Sequence, residues 1–121
     1  PIYAEQSKKQ IEKLKKDGKK GYAAAMESTL RLTTLVDNLE KAPQKADKAA
    51  VEKELSEIEA LLKSINNDRG QVLADRYNSV VGDVRQVLAD PSDNNLNNMI
   101  EGFNGYIDTY NSTTPDQFDA K

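Results

Sequence analysis

Seven lysines fall within the first 21 residues: Lys8, Lys9, Lys13, Lys15, Lys16, Lys19 and Lys20. Only Glu5, Glu12 and Asp17 oppose them, so this segment carries a charge of +4 while the remaining residues carry −7 of the net −3. Lys9, Lys13, Lys16 and Lys20 recur at helical spacing, which makes one face of a helix continuously positive. Ammonium groups in such a row can pair with carboxylates on another surface, speeding encounter in a way that fades as salt rises. Nucleic acid is a poor match, because the acidic body repels phosphate and no aromatic side chain is interleaved with the lysines. A lipid surface fits no better, since the segment lacks the face of Trp, Phe and Leu that interfacial helices use. An acidic protein surface is the expected partner, and the seven lysines are its candidate contacts.

Other chemistry finds little to work with. The chain contains no His, no Cys and no Trp. Metal chemistry in helical bundles draws on inward Glu residues and Glu-x-x-His pairs. Glu52, Glu54, Glu57 and Glu59 lie mostly off the apolar stripe of their helix, and the spacings Lys48–Glu52, Lys53–Glu57 and Glu59–Lys63 describe a solvated i to i+4 ladder. Ser and Thr are present, but no imidazole can activate them, and no Gly-rich phosphate loop precedes a helix. No catalytic, metal or cofactor residue is assigned, and the chain is expected to be a non-enzyme. Asn111-Ser112-Thr113 matches a glycosylation acceptor triplet, a pattern common by chance.

These residues must be carried by helices. Tyr22, Met26, Thr29, Leu32, Val36 and Leu39, widened by Leu30 and Leu35, form one stripe over about 22–41, which Pro43 ends. Asp47 is placed to cap the next helix, whose stripe is Val51, Leu55, Ile58, Leu62 and Ile65. After a turn at Asn66-Asn67-Asp68 comes Leu73, Tyr77, Val80, Val84 and Val87. Asp90-Pro91 suggests a cap followed by a first helical residue, ahead of Leu96, Met99, Phe103, Tyr106 and Tyr110. Steps that alternate 4 and 3 keep such stripes facing their neighbours, and short connections force antiparallel order. The expected fold is all-α: an antiparallel up-down-up-down four-helix bundle over 22–111, a short lysine-rich helix within 1–21, and a mobile tail over 112–121. Ser7-Lys8-Lys9-Gln10 reads as the capping box that starts the lysine helix, and Asp17-Gly18 with Gly21 as its stop. Thr114-Pro115-Asp116-Gln117 reads as a second capping box, opening one helical turn that ends near Phe118. Gly102 and Gly105 flank the aromatic stripe and allow another backbone to approach closely. Pro1 is not an initiator methionine, so removal of a targeting peptide is expected.

Size, the lysine-rich opening Lys8 to Lys20, the four stripes beginning at Tyr22, Val51, Leu73 and Leu96, and the polar stretch after Tyr110 resemble the PsbQ-like extrinsic subunits of photosystem II. Within them the chain looks most like the additional small extrinsic subunit of diatoms. It is less similar to the photosystem II assembly factor of the thylakoid lumen, in which an Arg-Arg pair usually follows a tyrosine near the third helix; here Tyr77 is followed by Asn78-Ser79. The resemblance implies a non-catalytic protein of the chloroplast thylakoid lumen, monomeric when free and without membrane insertion. It implies docking by charge on the photosystem II core and other extrinsic subunits, supporting oxygen evolution by shielding the manganese-calcium cluster and retaining calcium and chloride. A helical adaptor or assembly protein for some other acidic surface is the alternative that the residues themselves leave open.

Overall fold

A computed structural model describes residues 2–120, and side chains from Ser7 to Ala120. All regular structure among them is helical: α1 (Ile2–Lys16), α2 (Lys20–Lys41), α3 (Lys48–Lys63), α4 (Asp68–Ala89) and α5 (Asp93–Ser112), with 3-10 turns at Pro43–Lys45 and Pro115–Asp119. Helix α2 packs on α3, α4 and α5, α3 on α4, and α4 on α5, whereas α1 packs on α2 alone among the described residues.

Chain chemistry accounts for most of the boundaries. Asp47 accepts hydrogen bonds from the amides of Ala49 and Ala50, satisfying free N–H groups at the start of α3. Asn67 does the same for α4 through Arg69 and Gly70. At the start of α5 the cap is Ser92, which accepts from Asn95 N, and not Asp90. Asp90 instead closes α4, and Pro91 lies between the two helices rather than at the first helical position. Helix α1 is already helical at Ser7 and reaches back to Ile2, because Ala4, Glu5 and Gln6 favour helix and nothing there interrupts it. Gly21 is inside α2; only Gly18, at φ 80, breaks the chain between α1 and α2.

The stripes of α3 and α4 enter the core completely, with Ile58, Val80 and Val84 fully covered. On α5 only Met99 and Tyr106 are buried, while Leu96, Phe103 and Tyr110 are half-buried against the core. Helix α2 departs from its expected stripe: Tyr22, Met26 and Leu30 are half-buried, whereas Ala23, Ala24, Ala25 and Ser28 are covered on successive sides. Small side chains at these positions let α1 lie against the outside of α2 while the opposite side still meets the core. Gly102 makes room for α4: a Cβ there would stand 2.6 Å from Asp83 Oδ2, whereas one at Gly105 would meet open space.

The segment after α5 departs from the expected mobile tail. Phe118 is 2% exposed and stacks between Tyr22 and Tyr110, with ring centroids 6.2 and 6.1 Å away. The expected turn over 114–118 is present, and Gln117 Oε1 accepts from Thr114 N at 2.8 Å. An aromatic side chain and several side-chain to backbone bonds hold this segment in place, which its polar composition concealed.

Two phenols inside the core set an alkaline limit. Tyr77 donates to the carbonyl of Leu55. Thr29 donates to Ala25 O, so the 3.0 Å contact between its Oγ1 and Tyr106 leaves the phenol as donor. Burial pushes Tyr106 up to about 12, against the hydrogen bond with Thr29, and pushes Tyr77 up as well. In the unfolded chain both ionise near pH 10 (about). Their contribution to stability is therefore intact below about pH 10 and is lost as pH rises from there toward the folded values. An alkaline titration should show these two phenols ionising only above about pH 10 and together with loss of helical circular dichroism. All tyrosines titrating near pH 10 (about) with helicity intact would contradict this burial.

Candidate partner-binding surface

Helix α1 turns Ile11, 5% exposed, and the half-buried Leu14 inward toward α2. Lys9, Lys13 and Lys16 then fall on the opposite, solvent side by helical periodicity, and all three are exposed. With Lys8 and Glu12 they line one shallow, open depression. Lys8, Lys9, Lys13 and Lys16 form no ion pair among the described residues, so four ammonium groups share this surface with a single carboxylate.

The other three predicted contacts do different things. Lys15 Nζ lies 3.7 Å from Glu12 and 3.4 Å from Glu27 of α2, which ties α1 to its neighbour. Lys19 is 3.7 Å from Asp116 in the segment beyond α5. Lys20 is exposed at the first turn of α2 and lines a separate groove with Asn67, Phe118 and Asp119. The seven lysines are thus one cluster of four, two tethers, and one residue in a separate groove at the start of α2.

Glutamates on α3 pair across helices more than along their own. Glu52 takes both Nε and Nη2 of Arg85 at 2.9 and 3.0 Å. Arg31 of α2 bridges Glu54 and Glu57 and lies 3.8 Å from Glu27. Of the expected i to i+4 ladder only Glu59–Lys63 forms, at 2.6 Å. A planar guanidinium can hold two carboxylate oxygens at once, which a lysine on the same helix cannot match. Hydrogen bonds from Arg31 and Arg85 hold Glu54 and Glu52 below the usual carboxylate range. These acidic groups are engaged within the molecule, whereas Lys8, Lys9, Lys13 and Lys16 of α1 are exposed and form no ion pair among the described residues.

Sequence reasoning missed the residues that brace the base of this surface. Asp119 accepts from the amides of Gly21 at 2.6 Å and Tyr22 at 3.1 Å. Asn67 Nδ2 donates to the carbonyls of Gln117, Phe118 and Ala120 at 3.1, 2.9 and 3.1 Å. One sequence signal was available: α2 opens within Gly18-Lys19-Lys20-Gly21, a stretch with no side chain that caps it.

No group of three or more His, Cys, Asp or Glu residues is gathered as for a metal ion among the described residues, and no helix among them is long and apolar enough to cross a membrane. Comparison with protein-family models, with curated proteins and with solved structures yields no match.

Proposed function

We propose that this protein is a non-catalytic docking subunit whose α1 lysines seat it on an acidic protein surface, and that the surface belongs to the lumenal side of photosystem II. The observation that carries the docking reading is the cluster Lys8, Lys9, Lys13 and Lys16, exposed together and without an ion pair among the described residues, while Glu52, Glu54 and Glu57 of α3 are occupied internally. Resemblance to the PsbQ-like extrinsic subunits supports the identity of the partner and a chloroplast thylakoid lumen location. In this reading α2 to α5 form an antiparallel up-down-up-down four-helix bundle, an arrangement favoured by connections of a few residues and by the closed series of contacts α2–α3, α3–α4, α4–α5 and α5–α2. The bundle is the rigid body and α1 the contact arm. Bound on the complex, it would shield the manganese-calcium cluster and help retain calcium and chloride for oxygen evolution, without itself performing chemistry.

Zero-length carbodiimide coupling tests the contact. After reconstitution with diatom photosystem II stripped of extrinsic subunits, Lys8, Lys9, Lys13 and Lys16 are expected to join carboxylates of the core or of other extrinsic subunits. Couplings from the bundle surface alone would reject α1 as the arm. No coupling from any lysine would reject photosystem II as partner and leave an adaptor for some other acidic surface.

A further inference from the structure

We infer that Asp119 is a positioning residue for the lysine surface, and that the segment Pro115–Asp119 is a latch which fixes α1 by completing the first turn of α2. Helix α1 has no other support: it packs on α2 alone among the described residues and joins it through Asp17-Gly18-Lys19. Its orientation therefore depends on how firmly α2 begins. That beginning is deficient locally, since Lys19 makes no side-chain cap and no acidic residue stands in the first turn. The missing acceptor comes from Asp119, 98 residues away, whose carboxylate takes the amides of Gly21 and Tyr22. A carboxylate at a helix N-terminus satisfies free N–H groups and complements the positive end of the helix dipole.

Three further contacts hold the latch shut. Asn67 clamps two of its carbonyls and that of Ala120 just beyond it, Phe118 is buried between Tyr22 and Tyr110, and Lys19 faces Asp116. Gly21 is shaped to the latch, because a Cβ there would lie 2.0 Å from Phe118 O and 2.9 Å from Asp119 Oδ1. When the latch opens, α2 loses its cap, the α1–α2 turn loosens, and the lysines no longer present one fixed surface. Binding should then weaken through lost preorganisation, with the same charges still present.

The test is hydrogen exchange on the free chain, followed by binding. Asp119→Ala and Gly21→Ala should each speed exchange of the α1 amides from Ser7 to Lys16 by about tenfold or more, while central amides such as Leu55 and Val80 keep their protection. Asp119→Asn keeps one of the two acceptor oxygens, turns an N–H donor toward the other amide and loses the charge, so its effect should fall between the parent and Asp119→Ala. Gly21→Ala adds a better helix former, so loosening of α1 in that variant reports the displaced segment rather than a weakened α2. Unchanged α1 exchange, or a uniform rise across all helices, would overturn the latch and leave Asp119 as a local cap or a general stabiliser. Only the second step rests on the docking reading: Asp119→Ala should bind stripped photosystem II about tenfold more weakly with an unchanged salt slope. If the parent chain does not bind at all, the docking reading fails, while the exchange result still decides the latch.

Discussion

Phe118→Ala should lower stability to unfolding by about 3 kcal/mol, the lower end of what removing a buried aromatic side chain costs. The side chain is 2% exposed and closes a stack with Tyr22 of α2 and Tyr110 of α5, so its loss opens a void at the junction of two helices and the segment beyond them. The lower end applies because the segment can release: once it lets go, the deficit cannot exceed the free energy with which it docks. Urea denaturation followed by far-ultraviolet circular dichroism measures the change. Phe103→Ala, at a half-buried position, should cost less. A deficit below about 1 kcal/mol for Phe118→Ala would mean that the segment contributes little to holding α2 and α5 together.

Reversing three outward lysines, Lys9→Glu, Lys13→Glu and Lys16→Glu together, should weaken docking by about 30- to 150-fold at low salt. That corresponds to about 2–3 kcal/mol, reached by removing three exposed ion pairs of a few tenths to 1 kcal/mol each and replacing attraction with repulsion. The fold should tolerate the change, because none of the three pairs with another described residue and all are exposed. Location can be separated from net charge with Lys45→Glu, Lys48→Glu and Lys53→Glu, which alter the total equally on an exposed surface elsewhere. The control should bind nearly as the parent does. Equal losses in both triples would reduce the lysine surface to a general charge effect.

How much of this was legible in the chain depended on the range of the interaction. Helices α3 and α4 were readable from Val51 to Val87, because every inward position follows the 4 and 3 spacing and Asp47 announces its own cap. Helix α5 was readable in extent but not in depth. Its stripe continues to Tyr110, yet only Met99 and Tyr106 are fully covered, since burial depends on how many neighbours meet each side. Gly21 was misread as a stop because a glycine ahead of an apolar run usually breaks a helix; here it is a place where another segment passes within contact distance. The latch itself left no local trace. Asp119 and its two amides are separated by almost the whole chain, and the amide of Asn67 serves a local cap with one end and a distant segment with the other. Charge placement was half legible: the outward lysines follow from spacing, but the tethering of Lys15 to Glu27 and Lys19 to Asp116 needed the packed partners.

Rebinding to photosystem II tests the docking claim most directly. The purified chain is mixed with diatom photosystem II stripped of its extrinsic subunits, sedimented, and assayed for oxygen evolution across a salt series. Saturable binding that weakens steadily with salt, accompanied by recovered oxygen evolution, is the predicted result. Binding no greater than background at low salt, or recovery that ignores salt, would contradict a lysine surface that seats this protein on photosystem II.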